Sequence, residues 1–129
     1  MSQQDTSILP NCRLFLMPPS GMDAKLLTDC VSAAADAGDI ACLVLPADEA
    51  LVKAVLPGVQ AREIAVLVTD DPRMAAYAQA DGAHITSSLE DAVAARKSLG
   101  RNSSVGFLSA GSRHFAMEAG ETDIDYIAF

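Results

Sequence analysis

The sequence predicts an α/β protein made of parallel (β/α) units of the TIM-barrel type, incomplete at about six strands and five helices. Three observations carry this expectation. Short β-type runs recur at residues 13–17, 40–45, 64–68, 83–86, 104–108 and 125–129. Each run is nearly all apolar, as strands buried on both faces are. The run starts are spaced by 27, 24, 19, 21 and 21 residues, which fits right-handed βαβ crossovers in one sheet. An open doubly wound α/β sheet is the alternative, because 129 residues would complete such a domain.

The helices follow from their end signals. Ser20 and Asp23 flank the first start at capping-box spacing. The apolar face of that helix is Met22, Leu26, Leu27, Cys30, Val31 and Ala34, and Gly38 ends it. Asp48 caps the second helix, and Pro57-Gly58 is expected to stop it. Asp71-Pro72 opens the third with an N-cap and a proline at the first helical position, and Gly82 is expected just past its end. Ser87 or Ser88 starts the fourth, which Gly100 ends; Ser112 starts the fifth, which Gly120 ends. Met17, Met22, Met74 and Met117 read as core filler. Lys25, Lys53, Arg96 and Lys97 read as solvated helix faces.

The last run closes the sequence with no sixth helix after it. Residues 13–129 are therefore expected to form a single (β/α) domain, the first part of a (β/α)8 barrel, behind a polar tail at residues 1–12. The first and sixth strands would then have unpaired edges, which leaves a homo-oligomer open to the isolated chain.

Nine Lys and Arg face seventeen Asp and Glu, for a net charge of −8. That excludes nucleic acid and anionic membrane as expected partners, since both need clustered positive charge. A phosphorylated small molecule remains open. Helix-start N–H groups, or Mg²⁺ on carboxylates, can hold one on an acidic protein. Half the residues are hydrophobic but only 5% aromatic, so the core is aliphatic. Three cysteines without a Cys-x-x-Cys, Cys30 and Cys42 read as small buried hydrophobes among them, point to a reducing, cytoplasmic setting.

Ligands of parallel sheets bind where strands end and helices begin. Thr69-Asp70-Asp71 is the leading candidate, because carboxylates at such a mouth suit Mg²⁺. The alternative reading makes Asp71 only an N-cap and Asp70 a solvated turn residue. The loop Ser109-Ala110-Gly111-Ser112 can offer N–H groups to a phosphate, with Arg113 adding charge; the alternative is that Ser112 is only a helix cap. His84, inside a strand, reads as a hydrogen-bonded core residue. His114, in the first turn of the fifth helix, could act as a base or lie on the surface.

The string Ala78-Gln79-Ala80-Asp81-Gly82-Ala83-His84-Ile85 resembles the fourth unit of the thiamine phosphate synthase family, which carries an Ala-Asp-Gly-Val-His-Leu type sequence. Ala65 to Asp71 looks like that family's third strand, which ends in Asn-Asp. Val105-Gly106-Phe107 and Asp125 to Phe129 look like its fifth and sixth strands. The resemblance implies a (β/α)8 barrel and a transferase of thiamine biosynthesis. That transferase joins an aminopyrimidine methyl diphosphate to a thiazole phosphate and releases diphosphate with Mg²⁺ assistance. It implies that Asp70 ligates the metal, that Thr69 replaces the neighbouring Asn, and that Ser109 lies near the serine that contacts diphosphate. Ser109 and His114 are the candidate catalytic residues, and Thr69, Ser109, Gly111 and Ser112 the candidate substrate contacts. The family's Gln-x-Arg-x-Lys motif after the second strand is replaced here by Leu45-Pro46-Ala47-Asp48, and the ungapped match to its second metal-ligating Asp is Leu89. Other readings are a non-coupling paralogue that binds or isomerises a thiazole phosphate, and a receiver-type phospho-switch.

Overall fold

A computed structural model describes residues 11–129, so most of the expected tail lies outside the described residues. The strands are β1 (Leu14–Leu16), β2 (Ile40–Leu45), β3 (Ala65–Thr69), β4 (Gly82–Ile85), β5 (Ser104–Leu108) and β6 (Tyr126–Ala128). Between them run α1 (Ala24–Ala37), α2 (Glu49–Gln60), α3 (Pro72–Ala78), α4 (Leu89–Leu99) and α5 (Arg113–Gly120). Every strand pairs in parallel with the next in sequence.

That order decides between the two architectures. A doubly wound sheet reverses its direction of growth partway, which puts helices on both faces. A strictly sequential order with right-handed crossovers puts all helices on one face, and the sheet curls around the other. The chain is an incomplete, curled (β/α) barrel, and the doubly wound alternative is set aside.

Side chains alternate across this curl. Leu43, Leu45, Val66 and Val68 face the helices and pack with Leu27, Val31, Val52, Val55 and Val59. Ala83, Ile85, Val105 and Phe107 face the Ala92, Ala95 and Ala119 side of α4 and α5. Cys42, Val44 and Leu67 face the concave interior, where Tyr126 packs on them. Both faces are covered, which is why the strands read as unbroken apolar runs. Burial pushes the Cys42 thiol up to about 12, so it stays protonated.

All five helices start on an N-cap whose side chain accepts a backbone N–H three residues on: Asp23, Asp48, Asp71, Ser88 and Ser112. Ser20 is not among them. Pro57-Gly58 does not stop α2, which runs on to Gln60. The extra turn keeps Val59 at 2% exposure, and Ala61 N–H closes it on the Pro57 carbonyl at 3.0 Å. Gly82 is the first residue of β4 rather than a helix terminator. A Cβ there would stand 1.7 Å from the Ser104 carbonyl oxygen, so the close approach of β5 requires the glycine.

Five expectations about burial are corrected. Cys30 is exposed, as are Leu26, Met17 and Met117 at 50%, 55% and 63%. Arg96 is not solvated. Its side chain is 11% exposed and donates to the carbonyls of Gly100, Ser103 and Asp123 and to the Asp125 carboxylate. Asp125 in turn exchanges hydrogen bonds with Val105, its N–H donating at 2.7 Å and its carboxylate accepting at 2.8 Å. Asp81 does the same with Val66, at 2.8 and 2.7 Å. Each aspartate thus ties the start of its own strand to the start of the preceding strand. No helix among the described residues is long and apolar enough to cross a membrane.

Candidate functional site

Because all strands run the same way, the turns after β3, β4 and β5 share one rim. Thr69-Asp70, Thr86-Ser87 and the Ser109–Ser112 loop lie side by side along it in that order.

Asp70 is the centre of this rim. Its backbone is left-handed, with φ 54°, and its N–H donates to the His84 carbonyl at 2.9 Å. That geometry turns its carboxylate to the β4–α4 turn. Oδ1 accepts from Thr86 N–H at 2.7 Å and Ser87 N–H at 3.3 Å; Oδ2 accepts from the Thr86 hydroxyl. Partial burial pushes the Asp70 pKa up, but the hydrogen bonds from Thr86 and Ser87 and the nearby His84 outweigh it. The carboxyl sits below its ordinary value and is ionised at neutral pH.

Ser109 is 2% exposed, and its N–H and hydroxyl both donate to the Ala128 carbonyl, at 2.8 and 3.1 Å. This ties the loop to β6. Ala110 and Gly111 follow with φ 55° and 80°, and Ser112 caps α5. His114 stands apart: its side chain is 75% exposed and lies 3.5 Å from Glu118, one turn along the helix. After β2, where the resemblance leads one to expect a cationic motif, Asp48 instead caps α2.

Below the rim a row of register partners crosses four strands: Thr69, His84, Gly106 and Tyr126. The Tyr126 ring lies over Gly106, where a Cβ would stand 1.8 Å from its Cζ. It reaches His84, and the hydroxyl lies 2.6 Å from Nδ1. His84 is thus the hydrogen-bonded core histidine that its strand position suggested. Reasoning from sequence read Ser87 only as a possible helix start and gave Thr86 no role, and it missed Tyr126. The signal for Tyr126 was Gly106, a glycine inside a strand, which marks a close approach.

A Mg²⁺ ion needs oxygen ligands and keeps several waters, so one or two carboxylates suffice. Oδ2 of Asp70 accepts one hydrogen bond and keeps a second acceptor direction, so Asp70 fits as a single-point ligand. Among the described residues no three His, Cys, Asp or Glu side chains cluster as a fuller site.

Sequential parallel strands, a packed interior and polar groups gathered at the strand ends define an incomplete (β/α)-barrel protein, a fold in which ligands bind at that rim. The chain belongs to the thiamine monophosphate synthase family, which it matches over residues 14–129. It is 39% identical over 128 residues to a thiamine-phosphate synthase of Rhodospirillum centenum, covering 94% of this chain and 62% of that protein. A thiamine-phosphate synthase of Hyphomonas neptunium is 31% identical over 132 residues, covering 93% and 60%. One of Erythrobacter litoralis is 41% identical over 69 residues, covering 54% and 32%. The chain spans about three-fifths of the length of the first and the second of these relatives.

Proposed function

We propose that the chain works as a thiamine phosphate synthase-type transferase, joining an aminopyrimidine methyl diphosphate to a thiazole phosphate with release of diphosphate. The family match supports the class. The observation that carries the assignment is the Asp70 carboxylate, kept ionised at the rim by Thr86 and Ser87.

In this reading the C–O bond between the pyrimidine methylene and the diphosphate breaks, and its electron pair leaves with the diphosphate. The thiazole nitrogen lone pair then forms the new C–N bond. Asp70 would hold a Mg²⁺ ion, which would supply neutralisation of the charge on the departing diphosphate. Thr69, beside Asp70, orients the phosphate end. The backbone N–H of Gly111, just before α5, offers it a donor, while Ser112, whose own N–H closes the turn on the Ser109 carbonyl at 3.0 Å, contributes its hydroxyl. Ser109 fixes that loop through its bonds to Ala128. His114 is the base that a thiazole-isomerising variant of this chemistry would use. Three free thiols fit a reducing cytoplasm.

The experiment is a coupling assay with both substrates and Mg²⁺, read as thiamine phosphate by mass spectrometry. Product that disappears with Asp70→Asn supports the assignment. Substrate binding without any product assigns the chain to a non-coupling role instead.

A further inference from the structure

Among the described residues, one buried side-chain polar atom has no partner. His84 is fully buried and its Nδ1 meets the Tyr126 hydroxyl, but its Nε2 meets neither donor nor acceptor. An unpaired buried polar group costs about 1–3 kcal/mol. A site that keeps one calls for a functional reason.

The identity of the unpaired group follows from counting. If Nδ1 donated to the tyrosine oxygen, both the tyrosine O–H and Nε2 would be stranded. If the tyrosine O–H donates to Nδ1, only an Nε2–H is stranded. The second arrangement wastes less, so the interior presents an N–H donor. Burial pushes the Tyr126 hydroxyl pKa up and the His84 pKa down, the latter against an opposing pull from Asp70. Both groups are therefore neutral in the fold.

The two ring nitrogens point away from each other. Nδ1 is turned across Gly106 to β6, so Nε2 is turned to the β3 side of the row, where Thr69 is the register partner of His84. The surroundings are flat rings. Tyr126 lies 15° from the His84 plane at 5.8 Å, and Phe15 stands 6.1 Å from His84 and 5.3 Å from Tyr126.

We propose that His84 Nε2–H is a positioning donor for the heteroaromatic ring of the substrate, giving its hydrogen bond to a ring-nitrogen acceptor of the aminopyrimidine kind. The inference rests on the transferase reading above. Tyr126 acts through His84 by holding the tautomer. Phe15, 39% exposed, is the side chain the ligand displaces to reach Nε2.

The test is long-range ¹⁵N–¹H NMR of the histidine side chains during titration with 4-amino-2-methylpyrimidine. A parallel titration uses 3-methylaniline, which has a similar outline and no ring nitrogen. In the free protein Nδ1 should appear unprotonated and Nε2 protonated. The pyrimidine should shift the Nε2–H resonance and the aniline should not. Tyr126→Phe should mix the tautomers. His84→Phe should weaken the pyrimidine about 5-fold, with partial recovery in His84→Gln, the worth of one hydrogen bond. A pyrimidine that perturbs the Asp70 and Thr86 amides while Nε2 stays unmoved overturns the positioning role alone. A pyrimidine that perturbs nothing overturns it together with the transferase reading.

Discussion

Phe15 on the first strand meets Tyr126 on the last edge to face, with ring centroids 5.3 Å apart. Six strands at roughly 4.8 Å spacing would hold these side chains more than 20 Å apart in a flat sheet. Their contact measures the curl directly. NOEs between the two rings are expected in solution, and their absence from an otherwise folded spectrum would mean a flatter sheet. Phe15→Ala should cost about 1–2 kcal/mol in urea unfolding, less than a fully buried phenylalanine, because the ring is partly exposed.

The two interior glycines should respond differently to a methyl group. At Gly82 a Cβ would meet backbone, the Ser104 carbonyl at 1.7 Å, and no rotamer relieves it. Gly82→Ala should cost about 3 kcal/mol or more. At Gly106 the clash is with the Tyr126 ring at 1.8 Å, which can swing away. Gly106→Ala should therefore leave a folded protein whose Tyr126–His84 hydrogen bond is broken. The readout is loss of the single His84 tautomer by NMR, and a variant that keeps the tautomer contradicts the stacking.

Arg96 joins the end of α4 to the start of β6 by satisfying three carbonyls and one carboxylate. Removing it leaves acceptors unpaired in a half-buried site. Arg96→Ala should lower unfolding free energy by about 3 kcal/mol, and Lys97→Ala, on the exposed face beside it, by less than about 0.5. Equal effects in urea titrations would show that the Arg96 contacts add nothing.

Asp70 gives a pH dependence of known sign. Its folded pKa lies below the unfolded value, so the unfolded chain binds the proton more readily. Its stabilisation is full above the ordinary aspartate value of about 3.9 and is lost as pH falls through the folded value. Thr86→Val removes the hydroxyl donor to Oδ2, so it should lower stability at pH 7 and flatten the acid limb. A variant with an unchanged acid limb would mean that the Thr86 bond does not hold the charge.

The sequence made β2 and β5 legible to the residue, and every helix start to within one turn, because uniform apolar runs and Asp or Ser caps are local signals. What escaped was non-local. Pro57-Gly58 reads as a stop, yet burial of Val59 carries the helix past it. Arg96 looks like any charged helix residue until β6 brings Asp125 to it. Cys30 and Met17 look like core by residue type, yet no described element packs over them and both are exposed. At the site, the shared rim of Thr69-Asp70 and the Ser109 loop was readable from parallel topology. The Asp70–Thr86 clasp and the Tyr126–His84 pair were not, since each joins residues far apart in sequence.

The most direct measurement for the transferase reading is calorimetric titration with inorganic diphosphate, with and without Mg²⁺, for the unmodified chain, Asp70→Asn and Thr86→Val. Binding should require Mg²⁺, weaken at least about 10-fold in Asp70→Asn, and persist in Thr86→Val, which keeps the carboxylate. Equal diphosphate affinity in the unmodified chain and Asp70→Asn would contradict it.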